Sequence, residues 1–312
     1  MTDLFDSKSI SPMLIGAEGE AFDSPDYLYE LKLDGVRCLA YVGDGKTVLC
    51  NKRNLLVSPI YPELSGIHQQ VKGRCILDGE LVVIVDGKPQ FAEMQRRALM
   101  SDPFKIELTA SKHPVSFTAF DLLYQDGKDL TGKPLVERKE RLIKAVREND
   151  RIAVSRAIEG CGMALYAITE NQGLEGVVAK RKNSLYYQGK RTKDWIKCKH
   201  LLDDDFVICG YIHKSAGAVS LVLGQKRGEE LVYKGHVTLG VSRTDFCKIE
   251  AMPVISESPF PVDGENKQAV WIEPSLVCAV KFMERTANGG LRQPVYKGLR
   301  DDKRPEDCIV KT

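Results

Sequence analysis

After Lys199 the chain changes its pattern, and this one change constrains the fold more than any other feature. Before it, strand-like runs alternate with helices. YLYELKLDG alternates and ends in a turn signal. CLAYV and TVLCN follow, with Gly43, Asp44 and Gly45 between them as a hairpin. CILDGELVVIV and VSFTAFDLLY are stronger strands, and FAEMQRRALM reads as a short helix. PLVERKERLIKAV is a better one: Pro134 opens it and apolar Leu135, Leu142, Ile143 and Val146 recur along it. Glu137–Arg141 and Glu140–Lys144 are spaced there as i,i+4 pairs. MALYAITENQG is a helix stopped by Gly173, with EGVVAKR a buried strand behind it. Beyond Lys199, HLLDDD reads as a short acidic connection. FVICGYI, SLVLGQ, ELVYKGHVTLG and SLVCAVKFMER then read as strands separated by turns, with the single helix RTDFCKIEAM among them. About 110 residues of this kind suggest a small barrel, with the oligonucleotide-binding (OB) fold as a candidate. The pattern predicts two domains, 1–202 and 203–312.

Several classes are excluded. Hydrophobic residues at 43% and charged residues at 28% are globular values, not those of a disordered chain. No apolar run approaches the ~18 residues that span a bilayer. MTDLFDSKSI has neither a basic nor an apolar leader region. The nine cysteines occur singly and never as C-x-x-C, which disfavours zinc and disulfide scaffolds and favours a reducing compartment. The net charge of +2 is uninformative, but its distribution is not. Lys180, Arg181, Lys182, Lys190, Arg191, Lys193, Lys197 and Lys199 stand against one acid, Asp194, with Tyr186, Tyr187 and Trp195 interleaved. Such a run is either a solvated face or a surface for polyphosphate or nucleic acid.

The chemistry centres on Glu30-Leu-Lys32-Leu-Asp34-Gly35-Val36-Arg37. A lysine at a strand end, beside a turn with a carboxylate and an arginine, suits a nucleophile that must shed its proton before attacking phosphorus. Alone the pattern also fits a surface strand-turn. It is followed in order by Leu77-Asp78-Gly79-Glu80-Leu81, by Phe120-Asp121, by Glu175-Gly176-Val177-Val178-Ala179-Lys180 and by Trp195-Ile196-Lys197-Cys198-Lys199. Asp78 and Glu80 share a face if the pleat is regular, as do Lys197 and Lys199. Each segment has a plain structural reading. As an ordered set, acids for a divalent metal, lysines for phosphate and an aromatic for a base make one nucleotide site.

The set resembles the ATP-dependent DNA ligases of the covalent nucleotidyltransferase superfamily. Its segments look like that family's motifs: KLDGVR, LDGELV, TAFDLLY, EGVVAKR, WIKCK and Arg300-Asp301-Asp302-Lys303. The stretches Tyr187–Trp195 and Pro294–Arg300 look most like the ligase domain of bacterial non-homologous end-joining ligases. The resemblance implies an α+β chain. A nucleotidyltransferase (ATP-grasp-like) domain with antiparallel sheets and flanking helices would be followed by an OB-fold β-barrel. It implies that Lys32 attacks ATP to form lysyl-AMP, that AMP passes to a 5′-phosphate, and that a 3′-hydroxyl displaces it. Asp34, Arg300, Asp302 and Lys303 would join Lys32 in catalysis. Glu30, Arg37, Arg53, Glu80, Phe120, Lys197 and Lys199 would bind the nucleotide, with Glu30 at the adenine edge and Phe120 on the ring. Glu80 and Glu175 would hold Mg²⁺ or Mn²⁺. Lys180, Arg181, Lys190 and Arg191 are expected on DNA.

An RNA ligase, an mRNA guanylyltransferase and a catalytically silent OB-type nucleic-acid-binding protein are the alternatives. Glu175-Gly176 stands where guanylyltransferases tend to carry Asp-Gly, and the retained Lys32, Glu80, Glu175 and Lys199 argue against a silent protein. The expected partner is nicked double-stranded DNA. The turn QKRGEE is too short for a long DNA-encircling latch, which suggests dependence on a Ku-like end-binding protein. A cytoplasmic, nucleoid-associated monomer with no membrane contact is expected.

Overall fold

The computed structural model describes residues 3–261, 264–286 and 288–310. The chain divides into two compact units, Met1–His200 and Leu201–Thr312.

The first unit carries two sheets. One has the strand order Leu14–Glu18, Arg191–Lys199, Gly176–Arg181, Tyr27–Leu31, Ala157–Glu159; its pairings are antiparallel except for the parallel one between Leu14–Glu18 and Arg191–Lys199. The other has the order Lys46–Asn51, Val36–Gly43, Cys75–Val85, Val115–Gln125, Lys128–Asp129, with two short strands paired beside it. Asp44 and Gly45 turn the first hairpin with φ of 51° and 70°, the twist that a two-residue hairpin loop needs. A cluster of buried side chains fills the space between the sheets. Leu39, Tyr41, Ile76, Phe120 and Leu123 come from one sheet, and Met13, Val178, Tyr186 and Trp195 come from the other side.

Local sequence explains most of these elements, and the departures are instructive. Tyr27–Leu31 does not alternate. Tyr27, Leu28, Tyr29 and Glu30 are all buried because both faces of that strand are covered. The helix Leu135–Ala145 buries Leu135 and Leu142 as expected, but Ile143 is exposed and the inward face instead carries Arg138 and Lys139. Pro134 caps this helix rather than entering it, and among the described residues Glu137 pairs with Lys133, at 3.9 Å, instead of Arg141. A further helix, Pro103–Lys112, escaped the sequence reading although Asp102 caps it through the backbone N–H groups of Phe104 and Lys105.

The second unit is a sheet of order Glu230–Val237, Val219–Arg227, Leu202–His213, Val277–Phe282, Val295–Leu299, with Val270–Trp271 paired to Leu202–His213. The sheet closes on itself: Tyr296 donates its backbone N–H to the Leu239 carbonyl at 2.8 Å, and Leu239 bridges Val295. HLLDDD is therefore not a connection. Leu202–Asp205 open the central strand and pair with Ala279–Phe282.

Candidate active site

Lys32 leaves the strand Tyr27–Leu31 at the mouth of a pocket lined by Glu30, Lys32, Arg37, Glu80, Phe120, Lys180 and Trp195, among others. Its backbone N–H is anchored on the Gly176 carbonyl at 2.8 Å. Its ammonium donates to Oε2 of Glu175 at 2.7 Å. Two glycines permit this approach. A Cβ on Gly35 would lie 2.2 Å from the Leu81 carbonyl oxygen, and one on Gly176 would lie 2.1 Å from that of Cys198. The Asp-Gly and Glu-Gly pairs of the sequence thus set the loop after Lys32 and the strand behind it. Asp34 lies half-buried in that loop.

Phe120 reaches the pocket through a β-bulge. Asp78 pairs with Asp121 and Gly79 with Ala119, so Phe120 is the unmatched residue between them. Bulges re-aim side chains in this way. The Phe120 ring meets Trp195 edge-on at 6.0 Å, with the Arg37 guanidinium 4.3 Å and the Lys180 ammonium 4.2 Å from its centre. Asp121, one residue on, is wholly buried and takes two charge-assisted hydrogen bonds of 2.8 Å from Arg138.

Asp78 and Glu80 sit two apart, but they differ in state. Asp78 accepts from Arg37 Nε and Nη2 at 2.5 and 2.6 Å and from the Tyr186 hydroxyl at 2.5 Å. That engagement excludes it as a free metal acid, a role the sequence had left open. Arg37 is held ionised by Asp78 despite the opposing effect of burial. Glu80 forms no ion pair or side-chain hydrogen bond among the described residues. Burial pushes its pKa up to about 7, against the pull of Arg37 and Lys32, with Asp78 and Glu175 adding to the rise.

Glu30 is 1% exposed at the pocket floor. Lys180 donates to its Oε2 at 3.1 Å. Lys139 lies 2.8 Å from Oε1 but off the axis of a hydrogen bond, so that oxygen accepts no aligned protein donor. Burial works against ionisation of Glu30, and Lys180 and Lys139 overcome it, holding the carboxyl below its ordinary pKa. Trp195 Nε1 is likewise buried without a partner among the described residues.

Lys180 requires a correction. Expected on a DNA surface, it is 3% exposed. In Gly176–Arg181 the residues alternate: Val178 joins the cluster between the sheets, whereas Val177 and Ala179 pack on the other face. Lys180 follows Val178 inward, and burial pushes its pKa down to about 8, with Glu30 pulling it up and Lys139 pushing it further down. Arg181, Lys190 and Arg191 are exposed, with Arg181 bonded to the Tyr27 hydroxyl at 2.8 Å and Arg191 to the Ile15 carbonyl at 2.9 Å. Lys197 and Lys199 reach one carboxylate, Glu18, at 2.8 and 3.6 Å. Burial opposes its ionisation, and the two lysines hold it below the usual value. Arg53 stands apart from the pocket, exposed in the tight turn Asn51–Asn54.

In the second unit Arg300 and Lys303 share Asp205 at 3.2 and 3.6 Å. Arg300 also grips Asp302 through hydrogen bonds of 2.8 and 2.7 Å, which bring the Asp302 carboxyl down to about 2. Sequence reasoning missed Lys139, Glu18 and Tyr186. The first two carried no motif signal. Tyr186 stood in the basic run without a visible target.

Paired sheets with a lysine at the mouth of their pocket, followed by a closed barrel, make the two-domain fold of the covalent nucleotidyltransferases. The family described as "ATP dependent DNA ligase domain" matches residues 14–199, and "ATP dependent DNA ligase C terminal region" matches 214–303. The multifunctional non-homologous end joining DNA repair protein LigD of Mycobacterium tuberculosis is 31% identical, over 98% of this chain and 40% of that protein. The SPbeta prophage-derived DNA ligase-like protein LigB of Bacillus subtilis is 28% identical, over 93% of this chain and 99% of that protein. The structure of mycobacterial DNA ligase D complexed with ATP and MES is similar over 97% of this chain and 99% of that one, with a TM-score of 0.57 and 31% identity. The chain belongs to the ATP-dependent DNA ligase family. It spans 40% of the length of the mycobacterial LigD proteins it matches. No helix among the described residues is long and apolar enough to cross a membrane.

Proposed function

We propose that this chain seals nicks in double-stranded DNA between a 5′-phosphate and a 3′-hydroxyl, with ATP as the donor of AMP. The observation that carries the reading is the Lys32 amine held 2.7 Å from Glu175, whose side chain is 5% exposed, at the mouth of a pocket whose floor is Glu30 and whose wall is Phe120. Lys32 Nζ forms a bond to the α-phosphorus as the bond to pyrophosphate breaks, and Glu175 lies within reach of the proton that the amine must lose. The lysine–phosphorus bond then breaks as the 5′-phosphate takes the AMP. The 3′-hydroxyl displaces the AMP and closes the strand. Arg37, Lys197 and Lys199 supply positive charge for the phosphoryl oxygens, with Glu18 as the counterion that the two lysines leave. Arg300 and Lys303, fixed by Asp205 and Asp302, orient the leaving pyrophosphate. Asp34 shapes the Lys32 loop. Arg53, outside the pocket lining in this structure, reaches the ribose side of the nucleotide only if the Asn51–Asn54 turn moves toward it, and Arg181, Lys190 and Arg191 meet DNA phosphates.

The carboxylates present fit a divalent cation. Glu80 is an acid whose ionisation burial opposes, with no contact cation among the described residues, and Glu175 is its electrostatic neighbour. Among the described residues no group of three or more His, Cys, Asp or Glu side chains is placed to hold a metal. Glu80 and Glu175 would hold Mg²⁺ or Mn²⁺ together with phosphate oxygens and water, and the ion would neutralise charge developing on phosphorus. The similarity to LigD proteins, named for non-homologous end joining, supports that pathway; a Ku-like end-binding partner and a cytoplasmic monomer acting on the nucleoid belong to the same proposal.

Incubation with ATP labelled at the α-phosphate, followed by a denaturing gel, tests the first step; a nicked duplex tests the rest. Labelling by GTP instead of ATP indicates a guanylyltransferase, and sealing of nicked RNA but not DNA indicates an RNA ligase. A chain that takes no label and seals nothing overturns the proposal.

A further inference from the structure

Glu30 is gripped by two ammonium groups from different elements, and only one of them faces the pocket. Lys180 lies over the Phe120 and Trp195 rings at 4.2 and 4.6 Å and lines the cavity. Lys139 comes from behind, on the helix Leu135–Ala145, and is not part of the lining. It is 5% exposed and donates to the Ser155 carbonyl at 3.0 Å while standing 2.8 Å from Glu30 Oε1. The seam that carries it is fixed by the neighbouring Arg138–Asp121 pair, both members wholly buried. Five polar atoms are thus placed around one carboxylate: its two oxygens, two ammonium nitrogens and the Ser155 carbonyl oxygen.

A carboxylate held this way has one orientation and only acceptors to offer. That matters for a purine edge. Adenine presents an amino donor at C6, whereas guanine presents an oxygen there and places its donors at N1 and C2. A carboxylate free to turn follows either pattern; one held by a hydrogen bond at Oε2 and a charge contact at Oε1 answers only the pattern it was built for. We propose that Lys139 is a positioning residue for base selection: it fixes Glu30 in the ionised, single-orientation state that accepts from adenine and rejects guanine. The inference rests on the nucleotide pocket assigned above. It extends that reading to a lysine which never touches the base.

Equilibrium binding of ATP and of GTP, measured by calorimetry on the full chain, reads selectivity without requiring any sealing step. Lys139→Met should lower the ATP-over-GTP preference by about tenfold, as expected when a charge-assisted contact that orients a reading group is lost. Lys139→Arg should restore part of it. Because Lys139→Met leaves a buried carboxylate short of a cation, Glu30→Gln and the double variant are measured beside it. If Lys139 acts through Glu30, adding Lys139→Met to Glu30→Gln changes the preference no further. An ATP-over-GTP preference that Lys139→Met leaves intact, or that falls equally in both backgrounds, overturns the proposal. Failure of the ligase reading looks different: no labelled adduct and no sealing in the unsubstituted chain, whatever the nucleotide preference. A folded Lys139→Met single variant with reduced melting temperature and the parent's preference identifies Lys139 as a purely structural cation.

Discussion

Arg138 and Asp121 form a two-pronged ion pair with neither side chain exposed at all. It joins the helix Leu135–Ala145 to the strand Val115–Gln125 one residue past Phe120. Removing one partner leaves an uncompensated charge in the interior, so Arg138→Met should cost about 3–5 kcal/mol of stability. Asp121→Asn in the same chain should recover part of that loss. Urea unfolding of the single and double variants checks both, and a single variant within experimental error of the parent refutes the energetic role.

Lys32→Ala and Lys32→Arg should both abolish the covalent nucleotide adduct. The arginine keeps the charge but stays protonated and lacks a nucleophilic amine. A phosphoamide adduct in Lys32→Arg, seen by mass spectrometry, would move the nucleophile elsewhere.

Phe120 is 8% exposed, so its truncation has two effects that must be separated. Phe120→Leu keeps most of the buried volume and loses the aromatic face. It should weaken ATP binding by about 1–3 kcal/mol if base stacking follows its usual scale. Its melting temperature should fall much less than that of Phe120→Ala, which adds a cavity. Equal ATP affinity in Phe120→Leu and the parent would make the ring plain core.

Glu80 gives a signed pH dependence. Its pKa rises from 4.5 to about 7 on folding, so the folded chain keeps a proton that the unfolded chain has lost between those values. Its contribution to stability is full below about 4.5 and is lost as the pH climbs through about 7. Glu80→Gln mimics the protonated form. In the absence of divalent cations, it should melt above the parent at pH 8, and the difference should shrink toward pH 5. Parallel melting curves for the two chains across that range count against the buried carboxylate.

Arg300→Ala should suppress adduct formation much more than it suppresses sealing of a nick already carrying 5′-AMP, because pyrophosphate has left before the last step. Equal loss in the two assays places Arg300 in DNA binding or in the barrel's own stability.

The residues legible in the sequence are those on short elements with a local rule. Lys32, Glu80, Phe120 and Glu175 all stand on strands or turns whose glycines and apolar neighbours could be recognised. What was hidden is tertiary. Lys180 looked like part of a basic surface because a count of charges along the chain ignores the alternation that sends it inward with Val178. Lys139 was invisible because helix faces are read from apolar residues, and here the inward face carries two cations matched by acids more than ten residues away. Leu202–Asp205 read as a linker because acids usually mark solvent; in the barrel, Asp204 and Asp205 instead hold Arg285 and Arg300.

The hydrogen bond from Tyr296 to Leu239 has a consequence for the life of the molecule among its own copies. A sheet that meets itself leaves little open edge on which a second chain can add a strand. In the first unit, one edge strand, Ala157–Glu159, is only three residues long and ends in a glutamate paired with Lys182. Short, charged margins of this kind discourage strand-to-strand aggregation between copies of the chain.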